Sequence, residues 1–127
     1  MGGFLEVIEI ILKLIIGFGI LNVWLLRRGT SSKWRGGNAG NMKEEFQAYG
    51  LPMVAMYIVG FLKCTFALML IISIFWSGYV ALETIAAYGI AVLMAGAITM
   101  HARIGDSAKK SLPAFIMMVL SILVVLI

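Results

Sequence analysis

Residues 51–75, LPMVAMYIVGFLKCTFALMLIISIF, decide the fold. The run holds a single charged residue, Lys63. At 1.5 Å rise per residue, a helix of this length crosses a hydrocarbon core about 30 Å thick. The apolar residues are continuous and lack the period-2 alternation of an outer-membrane barrel strand, so the segment is read as a helix.

The rest of the chain has the same character. Of its 127 residues, 62% are hydrophobic and 13% charged, and the mean hydropathy is +1.05. Soluble domains are roughly 45–50% apolar, so these values predict an integral membrane protein. Three further apolar segments are marked: Phe4 to Leu26, Tyr79 to Met100, and Leu112 to Ile127. The last needs the turn beginning near Ser107 to reach across. The expectation is all-α: one domain, residues 1–127, with four transmembrane helices at about 4–26, 51–75, 79–100 and 107–127.

The first segment does not read as a targeting signal. Glu6 and Glu9 stand where a signal peptide carries basic residues, and no small-residue cleavage site follows. Gly2 invites an N-myristoylation reading that Glu6, at the position usually held by Ser or Thr, weakens.

Basic residues predict orientation. Arg27, Arg28, Lys33, Arg35 and Lys43 fall between helices one and two, and Arg103, Lys109 and Lys110 between helices three and four. The positive-inside rule places both loops in the cytoplasm and both termini on the far side of a bacterial inner membrane. Trp24 and Tyr49 then mark the inner interface, Trp76 and Tyr79 the outer. These loops carry the net charge of +4 and are read as topology determinants with affinity for anionic lipid, not as a nucleic-acid site.

Within the first loop, NMKEEFQAYGLP (41–52) reads as a short helix over about 42–49. Asn41 is the N-cap, Glu44 holds the capping-box position, Gly50 stops the helix and Pro52 follows. Met42, Phe46 and Tyr49 recur at helical spacing, which predicts a stripe lying on the membrane interface or docking a partner. RGGNAGN (35–41) lacks the Lys-Ser/Thr ending of a phosphate-binding loop.

Lys63 lies about 18 Å in from the cytoplasmic end of its helix, and Lys13 about 13 Å from the outer end of the first, so axial counting puts them at nearly one depth. Glu9 and Lys13 share a helix face. Glu83 and His101 are 18 residues apart, five whole turns, and share a stripe of helix three. Isolated charges at this depth cost about 2.5–3.5 kcal/mol each. Glu9, Lys13, Lys63 and Glu83 are therefore expected to form one network, with Lys63 neutralised by Glu9 or Glu83. Such a cluster could hold a quinone-like or other small polar head group, handle protons, or simply fix helix register.

MHARIGDSAKKSLPAF (100–115) holds the single His. Asp106 or Ser107 is expected to cap helix four, Arg103 to pair with Asp106, and His101 to be a hydrogen-bonded residue at the cytoplasmic edge. Cys64 is the sole Cys, which excludes an internal dithiol cycle. No metal-ligand spacing, covalent haem motif or nucleophile–base pair is visible, so neither a metal nor a covalently bound cofactor is expected. The nine Met residues are read as adaptable packing.

LNVWLLR closing helix one, RGGNAGNMKEEFQAYGLP leading into helix two, VGFLK within it, and LMAGAITMHARIGDSAKKSLPAF joining helices three and four resemble the DoxX-like family of small bacterial membrane proteins. The resemblance implies a four-helix membrane bundle. It also implies links, in some relatives, to membrane oxidoreductase systems, thiosulfate-to-quinone electron transfer or oxidative-stress complexes. No catalytic residue set comes with it; Lys63, His101, Arg103 and Asp106 are where this sequence matches the family's polar pattern. The function expected is a redox-linked, amphiphile-binding subunit working with further membrane subunits or as a homo-oligomer. A proton-coupled carrier built on the four-residue cluster and a purely structural accessory subunit are the alternatives.

Overall fold

The computed structural model describes residues 3–76 and 78–127. The Gly2 acylation reading and Ser77 lie outside the described residues. Those described form five α-helices and no strand: α1 (Gly3–Leu21), α2 (Met42–Ala48), α3 (Met53–Ile72), α4 (Val80–Arg103) and α5 (Leu112–Leu126). A π-helical turn, Asn22–Leu26, continues α1, and a 3-10 turn, Ala108–Ser111, leads into α5.

Around the bundle the long helices neighbour one another in the order α1, α3, α4, α5 and back to α1, with α2 against α3. Side-chain contacts fix their directions. Gly17 lies by Ile71 and Gly60 by Trp24, so α1 and α3 run antiparallel, whereas Glu83, early in α4, meets Lys13 of α1. One end of the bundle carries the loops 27–52 and 104–111, the other the chain termini.

Large apolar side chains cover the outside, Phe61 at 72% and Val92 at 70% exposure among them, as suits a surface solvated by lipid. The interior is built from smaller or flexible groups: Ile16, Ala67, Leu70, Ala86, Ala87, Ile90 and Met94. Two buried hydroxyls return to their own helices, Ser73 donating to the Leu70 carbonyl and Ser121 to that of Met117, so that neither is left a lone donor away from water.

Three helical stretches are long and apolar enough to cross a membrane: Met53–Ile72, Val80–Arg103 and Ala108–Leu126. These correspond to the second, third and fourth expected spans; the third runs beyond its expected end at Met100, and the fourth begins at the turn after Ser107. α1 has the length but carries Glu6, Glu9 and Lys13.

Local sequence explains the helix ends. Asn41 caps α2, its side-chain oxygen accepting from Glu44 N at 2.8 Å, while Glu44 reaches back to the Gly40 amide at 2.7 Å. That is the expected capping box shifted by one residue on the return bond. α4 ends where Gly105, at φ +76°, takes the left-handed position that lets Asp106 N bond to the His101 carbonyl at 3.0 Å.

Close helix approach depends on Gly60. A Cβ there would stand 2.6 Å from the indole of Trp24, which is itself buried. Gly60→Ala is therefore expected to lower stability by about 1–3 kcal/mol through overpacking. Gly96→Ala, which would meet nothing within 4 Å, should leave it level or slightly raised. Thermal unfolding of the two variants in detergent checks the contrast.

Candidate functional site

The ionisable residues of the helices separate into two places. Towards the termini end, Lys13 Nζ lies 2.7 Å from Glu83 and 3.2 Å from Glu9. Its side chain is only 6% exposed, against 25% for Glu9 and 20% for Glu83. This is a buried ammonium held between two half-shielded carboxylates, one from its own helix α1 and one from α4 across the bundle. Glu6 is exposed and outside the group.

Lys63 does not join them, which corrects the expectation that Glu9 or Glu83 neutralises it. Among the described residues it makes no ion pair; its Nζ stands 5.6 Å from the centre of the Trp24 ring. The physical reason is helix polarity. Every Cα–Cβ bond tilts towards its own helix N-terminus. α1 begins at the termini end, so Lys13 leans towards Glu9 and Glu83. α3 begins at the loop end, so Lys63 leans the opposite way. Equal axial counts therefore gave unequal ammonium depths.

Trp24 is aimed by the π turn Asn22–Leu26, in which Arg27 N bonds to the Asn22 carbonyl at 3.0 Å. Such turns are rare and frequent at functional sites. From Trp24 an edge-to-face ladder runs through Phe46 (6.1 Å between ring centres) and Tyr49 (5.9 Å) to His101 (5.7 Å). Met42, Phe46 and Tyr49 are 3%, 8% and 6% exposed. The stripe of α2, with its C-cap Tyr49, thus faces the bundle, which corrects the expectation that it is presented to lipid or to a partner.

A polar chain fastens this layer to α4. The buried Arg35 spans the loop, donating to Glu45 at 3.1 Å and to the carbonyls of Thr30 (3.0 Å) and Arg27 (2.8 Å). Glu45 also accepts from the Gly36 amide at 2.7 Å and from the Tyr49 hydroxyl at 2.9 Å. That hydroxyl lies 3.3 Å from His101 Nε2, and His101 Nδ1 is 2.7 Å from Asp106 Oδ2. Asp106 accepts from the Gly37 amide at 3.1 Å and has Lys110 at 3.9 Å, while Lys110 also donates to the Gly37 carbonyl.

His101 and Asp106 thus meet as the sequence hinted, but Arg103 has no bond to Asp106 among the described residues, and Ser107 makes no capping bond at the 3-10 turn. Asp106 spends its carboxylate on the loop. In the sequence Arg35 and Lys110 read only as topology determinants, and Glu45 and Gly37 take no part in the expected site; the Gly105–Asp106 step after His101 is the signal that could have shown the turn-back.

Electrostatics follow this wiring. Burial acts upward on the Asp106 carboxyl, yet the His101 hydrogen bond, the Gly37 amide and the Lys110 charge outweigh it and hold it below its ordinary value. Burial, then the charge of Glu45, pushes the Tyr49 phenol far above its ordinary range, so it keeps its proton.

Above Lys63, and beneath loop 27–52, lies a cavity of about 480 Å³, within the roughly 300–1,000 Å³ usual for small-molecule sites. Its walls come from α1, α3, α4 and α5, with Ile20, Val59, Met94, Ala97 and Met117 among them. Lys63, Trp24, Arg27, Glu45, Tyr49 and His101 also line it. An apolar chamber with a few convergent polar groups can orient an amphiphile by its head.

Two outcomes follow from the ionic groups. Lys13→Met, which strands two carboxylates, should lower stability by about 3–5 kcal/mol, and adding Glu9→Gln with Glu83→Gln should restore most of it in the same melting assay. Because the Asp106 carboxyl is depressed on folding, its contribution is present above the free value of 3.8 and lost as pH falls through the lower folded value. The protection of the Gly37 amide, its exchange relative to free peptide at the same pH, should fall over that acidic interval. In Asp106→Asn that protection should be low already at neutral pH.

No curated protein and no solved structure was found to match the chain. The family description that does match is that of the DoxX-like family, over residues 12–124, which takes in α3, α4, the cavity and the polar chain that closes it. On that match, covering most of its length, the chain belongs to the DoxX-like family.

Proposed function

We propose that this small membrane protein is a four-span bundle that receives an amphiphile in the loop-capped cavity, with the amphiphile's head group accepting a hydrogen bond from Lys63. α1 serves as the fourth span: its three ionisable residues are tolerable because Lys13 is paired twice and Glu6 lies within one turn of the helix start. The basic loops 27–52 and 104–111 face the cytoplasm of a bacterial cell, both termini the far side of its inner membrane, and α2 sits at the interface level as the cap.

The observation that carries this reading is the position of Lys63. An ammonium is a donor only, and this one lines an apolar chamber with an aromatic face beside it and no acid within ion-pair range among the described residues. A ligand oxygen satisfies it. A quinone-like carbonyl is the neutral form of such a head group, and it suits the redox-linked subunit that the family resemblance implies. Glu9, Lys13 and Glu83, by contrast, satisfy one another, which favours a register-fixing role over proton-coupled transport.

In lipid nanodiscs, a short-chain quinone analogue should quench tryptophan fluorescence saturably, since Trp24 and Trp34 line the cavity. Lys63→Met should weaken that binding roughly tenfold, the factor expected when a charge-assisted hydrogen bond is lost, with helicity unchanged. Wild-type affinity in the variant would refute the assignment of the head-group site.

A further inference from the structure

The charges around the cavity are unbalanced, and their imbalance narrows the ligand class. Four cations line it: Arg27, Arg35, Lys63 and Lys110. Glu45 is the one acid among the lining residues. Glu45 is engaged by Arg35, by the Gly36 amide and by the Tyr49 hydroxyl, so its charge is matched by that guanidinium. Lys110 is turned to the Gly37 carbonyl and to Asp106. Lys63 and Arg27 are left, neither with an acidic partner among the described residues. Lys63 lies ten residues into α3, about 15 Å from its start, where the surroundings screen charge poorly.

From this we infer that the cavity selects an anionic single-chain amphiphile, a long-chain carboxylate whose head sits on the Lys63 ammonium; the inference rests on the amphiphile-binding reading above and deepens it. An anion there compensates directly a half-buried ammonium that Glu45 reaches only across a distance, which a neutral head group does not do. The compact ammonium suits a small point-like anion, in contrast to the forked geometry of a guanidinium. The volume of about 480 Å³ has room for one hydrocarbon chain. Ala97, Met100, Ala114 and Met117 supply the wall, where unbranched thioether side chains adapt to a flexible hydrocarbon. Arg27, at the rim and exposed, adds a field that draws anions inward.

The test compares head groups on a fixed chain. The full protein in neutral-lipid nanodiscs is titrated with palmitate, hexadecanol and the quinone analogue at neutral pH, so that the ammonium and the carboxylate can pair. Protein-free discs supply the partition baseline, and tryptophan fluorescence is the readout. Palmitate should bind roughly tenfold tighter than hexadecanol. Lys63→Gln should abolish that ratio while leaving hexadecanol affinity intact, and Arg27→Gln should reduce it only in part. Equal affinity for acid and alcohol would overturn the anion preference and leave the amphiphile reading standing. Saturable binding of none of the three would overturn both. Should Lys63→Gln fold poorly, the acid-to-alcohol ratio of the unaltered chain still decides the matter, and displacement of palmitate by phosphatidylglycerol but not by hexadecyl phosphate would overturn the single-chain assignment.

Discussion

The arrangement of this bundle depends on the direction in which side chains leave a helix. Lys13 and Lys63 stand on antiparallel neighbours, and each leans towards the N-terminus of its own helix. The tilt carries Lys13 to Glu9 and Glu83 and leaves Lys63 beside the Trp24 indole. Were α1 and α3 parallel, both ammonium groups would point to one end. Antiparallel packing instead pairs one ammonium inside the protein and leaves the other without an ion-pair partner among the described residues. The first is a fastening between α1 and α4; the second is an open chemical demand inside an apolar chamber.

The covering of that chamber is built from interactions of a different kind. Trp24, Phe46, Tyr49 and His101 form an aromatic ladder whose rings meet edge to face, and the hydrogen-bonded chain from Arg35 to Asp106 runs along its polar side. Apolar contact excludes water while the polar chain fixes the loop in one register. Neither would suffice alone, since seven residues of α2 are too short to hold a helix in place without tertiary support. Gly60 enters here as well: its missing side chain lets the indole of Trp24 reach α3, and the indole in turn gives Phe46 a surface to meet.

Much of the fold was legible because continuous hydropathy is a strong signal and helix stops are chemically explicit. The α2 helix was readable from Asn41, Glu44 and Gly50, and the expected fourth span was rightly extended back towards Ser107. The sequence could not say which way the Met42, Phe46 and Tyr49 stripe faces, because a helical apolar stripe packs equally well on lipid or on protein. It misled at Lys63, where counting along the axis ignored the reach and tilt of a four-carbon side chain. The π turn that aims Trp24 left no periodic trace, and Arg35 stands in a Gly-rich segment with no pattern to mark it as buried. His101 and Asp106 were singled out, but the part played by Gly105 in turning one back onto the other became evident only with the backbone conformation.

The bond from the Gly37 amide to Asp106 joins residues 69 positions apart. As the chain is synthesised and threaded into the bilayer, the first loop emerges long before the α4–α5 hairpin exists to receive it. Distant contacts of this kind must await the elements they connect. The N-terminal half therefore spends part of its biogenesis with the aromatic residues of α2 unsheltered at the membrane surface. The chamber acquires its roof only when the last helix pair has been inserted, and a chain truncated before Asp106 would retain α1 to α4 while lacking the carboxylate that ties the loop down.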